Sequence, residues 1–227
     1  ALISVGLAPG LTNIMAAWCA ARLDRIERID IGLLFGLGDR HGEAAIGWMA
    51  DRIFDKGRDR RVATMEFGFG EGRRRLHAVD FSDQHSLART LPTDAAWTGV
   101  AFESRLSTAA LFALGRVFAG SRLVRGASVA LFKRLRFGSS LCNASVAVSG
   151  WSKGEPVTTS VHFSGAVEAR VTAQLAALQF EQLLSGPIVA GVHHTHQVLD
   201  PAAVLEAVVA RGIGQIAFGP VETRDGG

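Results

Sequence analysis

Lysine is almost missing from this chain. The formal charge of +3 rests on arginine, because Lys56, Lys133 and Lys153 are its only lysines. The arginines gather at Arg58–Arg61, Arg73–Arg75 and Arg122–Arg136. No helix-turn-helix, zinc-finger or aromatic-interleaved basic motif accompanies them, so they read as solvated faces and no nucleic-acid partner is expected. Cysteine is equally scarce. Cys19 and Cys142 have no framework spacing and form no ligand pair, which excludes a disulfide scaffold and fits two core thiols in a reducing, cytoplasmic setting. Long apolar runs are missing too. Leu106–Ala119 comes nearest, but it falls short of the ~18 residues a membrane span needs and contains Arg116, so a soluble protein with no membrane partner is expected. Nucleophilic catalysis lacks its signatures, since there is no G-x-S-x-G elbow and neither cysteine has an activating neighbourhood. There is no internal repeat and no low-complexity linker. No signal peptide precedes the first strand, although a chain beginning at Ala1 is open to having lost one.

What is present is a chain of 227 residues, 48% of them hydrophobic, enough to bury a substantial core. Ala1–Val5 reads as a strand end, and a helical pattern runs over Ile14–Asp24. Ile29, Ile31, Leu33 and Phe35 alternate with Asp30, Gly32 and Leu34, the period of a strand with one buried face. Glu43–Asp55 is helical, with Ile46, Met49 and Ile53 on one side. Val62–Phe69 and Arg73–Phe81 form a hairpin across Gly70-Glu71-Gly72, and Ser82–Pro92 is a polar connection or a short helix. Trp97–Arg105 is a strand, followed by a helix capped by Ser107 and ending at Phe118. Gly120–Arg136 is read as a helix despite Gly126. Asn143–Trp151 and Val157–Phe163 make a second hairpin. Ala166–Leu184 is the clearest helix, Ile188–His194 is extended, and Asp200 caps Pro201–Arg211. The hairpins exclude an all-parallel sheet. The expected fold is a single α+β domain over residues 1–227, a mixed and largely antiparallel sheet with helices on one face.

Three stretches hold candidate chemistry. Gly6–Asn13, GLAPGLTN, passes from strand to Pro-Gly turn to helix and would leave N–H groups free to receive a carboxylate or phosphate. Gly36-Leu37-Gly38-Asp39-Arg40-His41-Gly42 lies between a strand and a helix, but a dinucleotide fingerprint would need glycine at position 41, where His41 stands. A histidine at position 41 is a candidate general acid or base, without a visible partner in the sequence. His194 and His196 share one side of an extended segment beside His193, yet a third metal ligand is missing and no metal is expected. Trp18 and Trp48 read as core or pocket-wall residues.

The GLAPGLTN stretch resembles the G-x-x-PGL-[ST]-N signature that opens the C-terminal domain of saccharopine dehydrogenase-like oxidoreductases. The strand Arg28–Leu37, the Gly38–Gly42 loop with Trp48 beyond it, and Gly191-Val192 reaching Asp200-Pro201 follow in the same order. The resemblance implies a substrate-binding and dimerisation domain, similar in fold to the C-terminal domain of glyceraldehyde-3-phosphate dehydrogenase. The nucleotide-binding domain, which would hold NAD or NADP, is not in this chain, so the chain alone is expected to be inactive. It places Pro9, Gly10, Thr12 and Asn13 at a small-molecule substrate cleft, with Asp39, His41 and Trp48 on its wall, and it names no catalytic residue. It also implies a homodimer paired through the sheet face carrying Asp30, Ser145, Ala147, Ser149, Thr158, Ser160 and His162. The alternative is a non-catalytic protein-interaction module of the same fold.

Overall fold

β2 (Arg25–Leu37) is the strand around which the sheet is built, and its buried alternation is the one read from sequence: Ile29, Ile31 and Leu33 are fully buried. The computed structural model describes residues 1–39, 42–93, 95–134, 137–186 and 190–223. On one side β2 pairs in parallel with β5 (Ala95–Phe102), with Ile31 opposite Thr98. On the other it pairs antiparallel with β6 (Phe137–Ser152), with Ile31 opposite Val146. β6 and β7 (Glu155–Ala166) form a long hairpin turned at Lys153-Gly154, and β9 (Gln215–Phe218) and β10 (Glu222–Thr223) complete the far edge of β7. Beyond β5 the sheet continues through β4 (Gly72–Ala78) to β3 (Val62–Phe67). β1 (Leu2–Ile3) stands apart and pairs in parallel with β8 (His193–His194).

The helices are α1 (Thr12–Ala20), α2 (Glu43–Phe54), α3 (Ser82–Thr90), α4 (Arg105–Val117), α5 (Arg122–Arg134), α6 (Glu168–Ser185), α7 (Thr195–Val198) and α8 (Pro201–Ala210). The fold is α+β, with a curled mixed sheet and helices packed around it. One core runs from Leu7 to Ile213 and joins the Ile29 face of β2 to Val146, Val148, Val161 and Phe163 of the long hairpin. Against it α6 lays Val171, Leu175 and Leu178, the stripe expected from the 3.6-residue period, although Val167 precedes the helix in a left-handed conformation. Asp200 caps α8 by accepting from the Ala202 N–H, with Pro201 at the first position. The polar connection at Ser82 is a helix, whose Leu87 reaches the core. The α4 cap is Ser104, which accepts from the Ser107 N–H at 3.1 Å, so the cap lies one turn earlier than the sequence reading placed it.

The opposite face of the sheet is not an open polar surface. The β3–β4 hairpin curls over it and forms a second, smaller core of Leu34, Met65, Phe67, Leu76, Ala78, Trp97 and Ala101. Gly32 makes the close approach possible, because a Cβ there would stand 2.9 Å from both Leu76 Cδ1 and Phe67 Cζ. Ser145 Oγ donates to the Glu66 carbonyl at 2.8 Å and is buried, as is His162. Ser160 is met by Gly219 from the β9–β10 connection, whose N–H donates to the Ser160 carbonyl at 2.9 Å. Much of the face expected to meet a second subunit is therefore covered by the chain's own segments.

Candidate functional site

The parallel pairing of β2 and β5 brings their carboxyl ends to one rim, where Phe35, Leu37 and Phe102 form the floor of a cavity of about 760 Å³. Ile46, Met49 and Ile53 of α2 close one side, and Leu111 of α4 and Phe132 of α5 close another. Such a volume lies in the range of small-molecule sites, which combine an apolar wall with a few placed polar groups. The polar groups collect at one end. Arg52 Nη1 lies 3.3 Å from Asp80 Oδ2, while Asp80 Oδ1 holds His85 Nε2 at 2.5 Å and accepts from Gln84 Nε2 at 3.2 Å. Trp48 stands beside them, edge-on to Phe81 at a centroid distance of 4.8 Å, with the Arg52 guanidinium 5.7 Å from its ring. Arg52 Nε is buried and has no partner of its own.

This end of the cavity can do two things chemically. A histidine oriented by a carboxylate can give or take a proton, and an arginine with an unused N–H can bind a carboxylate or another oxyanion. Both arise from side chains the sequence reading passed over. His85 and Asp80 are five residues apart across the start of α3. The signal for them was the helix start itself, Phe81-Ser82 followed by His85 one turn on, inside a stretch read as a connection or a short helix.

The sequence candidates divide. Trp48 and Asp39 line the cavity, and Ala8, next to Pro9, does as well. Asp39 also accepts from the Glu168 N–H at 3.3 Å, so it anchors the first turn of α6. His41 lies outside the described residues. Pro9 is half-buried in a turn over Leu7–Leu11 that includes a cis Ala8–Pro9 peptide. Gly10, Thr12 and Asn13 are buried, and their polar groups turn inward. The Gly10 N–H donates to Asn13 Oδ1 at 3.3 Å, the Leu11 N–H to the Gly6 carbonyl at 2.8 Å, and the Thr12 N–H to the Leu7 carbonyl. Asn13 Nδ2 donates to Ser86 Oγ at 2.8 Å, and Gln179 clasps the Gly6 backbone from α6. These groups are satisfied within the chain, which leaves the turn a structural joint rather than the open anion seat expected of it.

The glycine loop after β2 has a packing reason. A Cβ on Gly36 would lie 2.0 Å from the Ser139 carbonyl oxygen, and the Gly38 N–H donates to that same oxygen at 2.9 Å. Its described residues press on β6. Of the histidine cluster, His194 Nδ1 meets Ser4 Oγ at 2.7 Å, His196 Nε2 meets Thr90 Oγ1 at 2.7 Å, and His193 Nε2 faces the Ala190 carbonyl at 3.0 Å. Among the described residues no three His, Cys, Asp or Glu side chains come together as metal ligands. Both cysteines are buried and free, and burial pushes the Cys19 thiol up to about 12 and raises that of Cys142 as well, which disfavours the thiolate at both. Trp18 stacks on Phe218 at 4.4 Å, away from the cavity. In comparisons with known proteins, no family model and no curated protein matches the chain.

Proposed function

We propose that the chain is the substrate-binding and subunit-pairing domain of an NAD(P)-dependent oxidoreductase similar to the saccharopine dehydrogenase group. The observation that carries this reading is a convergence. Ala8 of the Pro-Gly turn, Asp39 of the glycine loop and Trp48 of the next helix, three separate pieces of the resemblance, line one cavity. The small molecule would lie along the apolar wall, which keeps water from it, with its carboxylate or other polar head on Arg52. His85, held by Asp80, would carry the proton exchanged at the reacting centre. Because His41 stands where a dinucleotide fingerprint needs glycine, NAD or NADP would be bound chiefly by a nucleotide-binding unit outside these 227 residues. The sheet would correspond to that of glyceraldehyde-3-phosphate dehydrogenase C-terminal domains, and the part of its outer face left half-buried, at Asp30, Ser149 and Thr158, would carry the two-fold contact.

Calorimetry tests the assignment directly. NADPH titrated into the 227-residue chain should give no binding in the micromolar range, and micromolar binding would overturn the assignment. A thermal-shift panel of amino and keto acids should raise the melting temperature, and the shift should vanish in Arg52→Gln. A panel without effect would favour the non-catalytic interaction module instead.

A further inference from the structure

From Ser104 to Gly154 the chain has no aspartate or glutamate, and every charged side chain from Arg105 to Arg136 is arginine or lysine. α4 and α5 lie in this stretch, and their patterning is inverted for helices that face water. In α4 the exposed positions are Leu106, Ala109, Ala110, Ala113 and Val117, spaced i, i+3, i+4, i+7 and i+11 along a single stripe. In α5 they are Leu123, Gly126, Ala127, Ala130 and Leu131, again one stripe. The inward sides hold Thr108, Gly115 and Ser128 along with Phe112. Leu106 is 80% exposed and Leu123 84%. A lone exposed leucine is ordinary, but two successive helices with apolar outer stripes are not. Exposed arginines bracket each stripe, Arg105 and Arg116 on α4, Arg122 and Arg134 on α5. Arg58 lies against α4 as well, donating to the Phe112 carbonyl at 3.5 Å.

We propose that the outer stripes of α4 and α5, two helices that both pack on α2, form a docking surface for an anionic phospholipid bilayer. The leucines enter the boundary between headgroups and acyl chains, and the bracketing arginines meet lipid phosphates. Charge decides between a bilayer and a second copy of this chain. Two such stripes brought together would oppose Arg105, Arg116, Arg122 and Arg134 with one another, and neither helix carries a carboxylate of its own, Asp51 of α2 being already paired with Arg125, whereas a phosphate surface complements them. This docking is peripheral, and no helix among the described residues is long and apolar enough to cross a membrane. The opposite sides of the same two helices supply Leu111, Ser128 and Phe132 to the cavity, so docking sets the cavity against the lipid surface.

Co-sedimentation of the purified 227-residue chain with vesicles is the test. Vesicles of phosphatidylcholine and phosphatidylglycerol in equal parts should pull the protein down, with binding falling roughly tenfold on pure phosphatidylcholine and weakening as salt is raised. Leu106→Asp with Leu123→Asp should abolish sedimentation while circular dichroism and the melting temperature stay unchanged, the side chains being exposed. Leu106→Ser with Leu123→Ser gives a milder pair should the aspartates disturb folding. Absence of sedimentation with the anionic vesicles, or sedimentation indifferent to either pair, would overturn the proposal. A dimer in light scattering that either pair converts to a monomer would overturn it in favour of self-association.

Discussion

Asn13 illustrates how a residue picked out by its motif acquires its role from burial. It is fully buried, and its amide bridges the Gly10 N–H to Ser86 Oγ. A helix cap removed at a surface costs about 1 kcal/mol, but deleting this amide strands the buried Gly10 N–H at a cost of about 1–3 kcal/mol, while Ser86 Oγ keeps its bond to the Asp83 carbonyl at 2.9 Å. Asn13→Ala should therefore destabilise by roughly 1–3 kcal/mol in urea unfolding. A loss under about 1 kcal/mol would leave it a simple cap.

His196 carries the clearest pH dependence. Burial, reinforced by the neighbouring His194, brings its pKa from 6.5 down to about 4. The unfolded chain protonates at about 6.5 while the folded chain resists, so the contribution is complete above 6.5 and is lost as pH falls through about 4. The size is roughly 3 kcal/mol. His77 acts in the same sense, at about 4 through burial and then Arg75 and Arg58. Asp83 acts in the opposite sense, because burial raises its pKa against hydrogen bonds from Thr98 and the Gln84 backbone. His196→Gln should accordingly lose less stability than the parent between about pH 7 and pH 4.5, read from urea midpoints at each pH. Equal losses would show that this histidine is not excluded from protonation.

At the scale of elements, the curl of β3 and β4 over β2 depends on glycine. Gly32→Val would push branched carbons into Leu76, Phe67 and Met65, each of which has an atom within 3.2 Å of where a Cβ would stand. Overpacking of this kind costs about 1–3 kcal/mol, and here it should fall first on the hairpin. Hydrogen exchange at Val62–Ala78 should accelerate more than exchange in β6 and β7, and uniform acceleration would mean that the hairpin has no separate stability. The same element explains a misreading. Alternation along β2 assigns Leu34 to the solvent side, but the second core buries it completely.

For the whole molecule, the proposed pairing is confined to what the curled hairpin and the β9–β10 connection leave uncovered. Ser149 is half-buried and holds Thr158 Oγ1 at 2.8 Å. Ser149→Arg would introduce an unpaired cation into a two-fold contact and should convert a dimer to a monomer in light scattering. A monomeric parent, or a dimer unchanged by the substitution, would remove this strip as the interface.

The sequence determined most elements, because burial on one side of a helix or strand leaves a periodic trace. The β2 alternation, the α6 stripe, the Lys153-Gly154 turn and the Asp200-Pro201 helix start were all legible from local pattern. The inward hydrogen bonds of Gly10 and Asn13 were not, nor the second core, nor the meeting of Arg52, Asp80 and His85 at the cavity. Each of these depends on segments distant in the chain. A motif shows that N–H groups exist at a helix start, but only packing decides whether Asn13, a carbonyl or a ligand receives them. Likewise, a histidine in a polar stretch carries no sign of its partner until α3 and α2 are brought against the same strand ends. The tertiary structure decided those points because contact between distant segments leaves no local period to read.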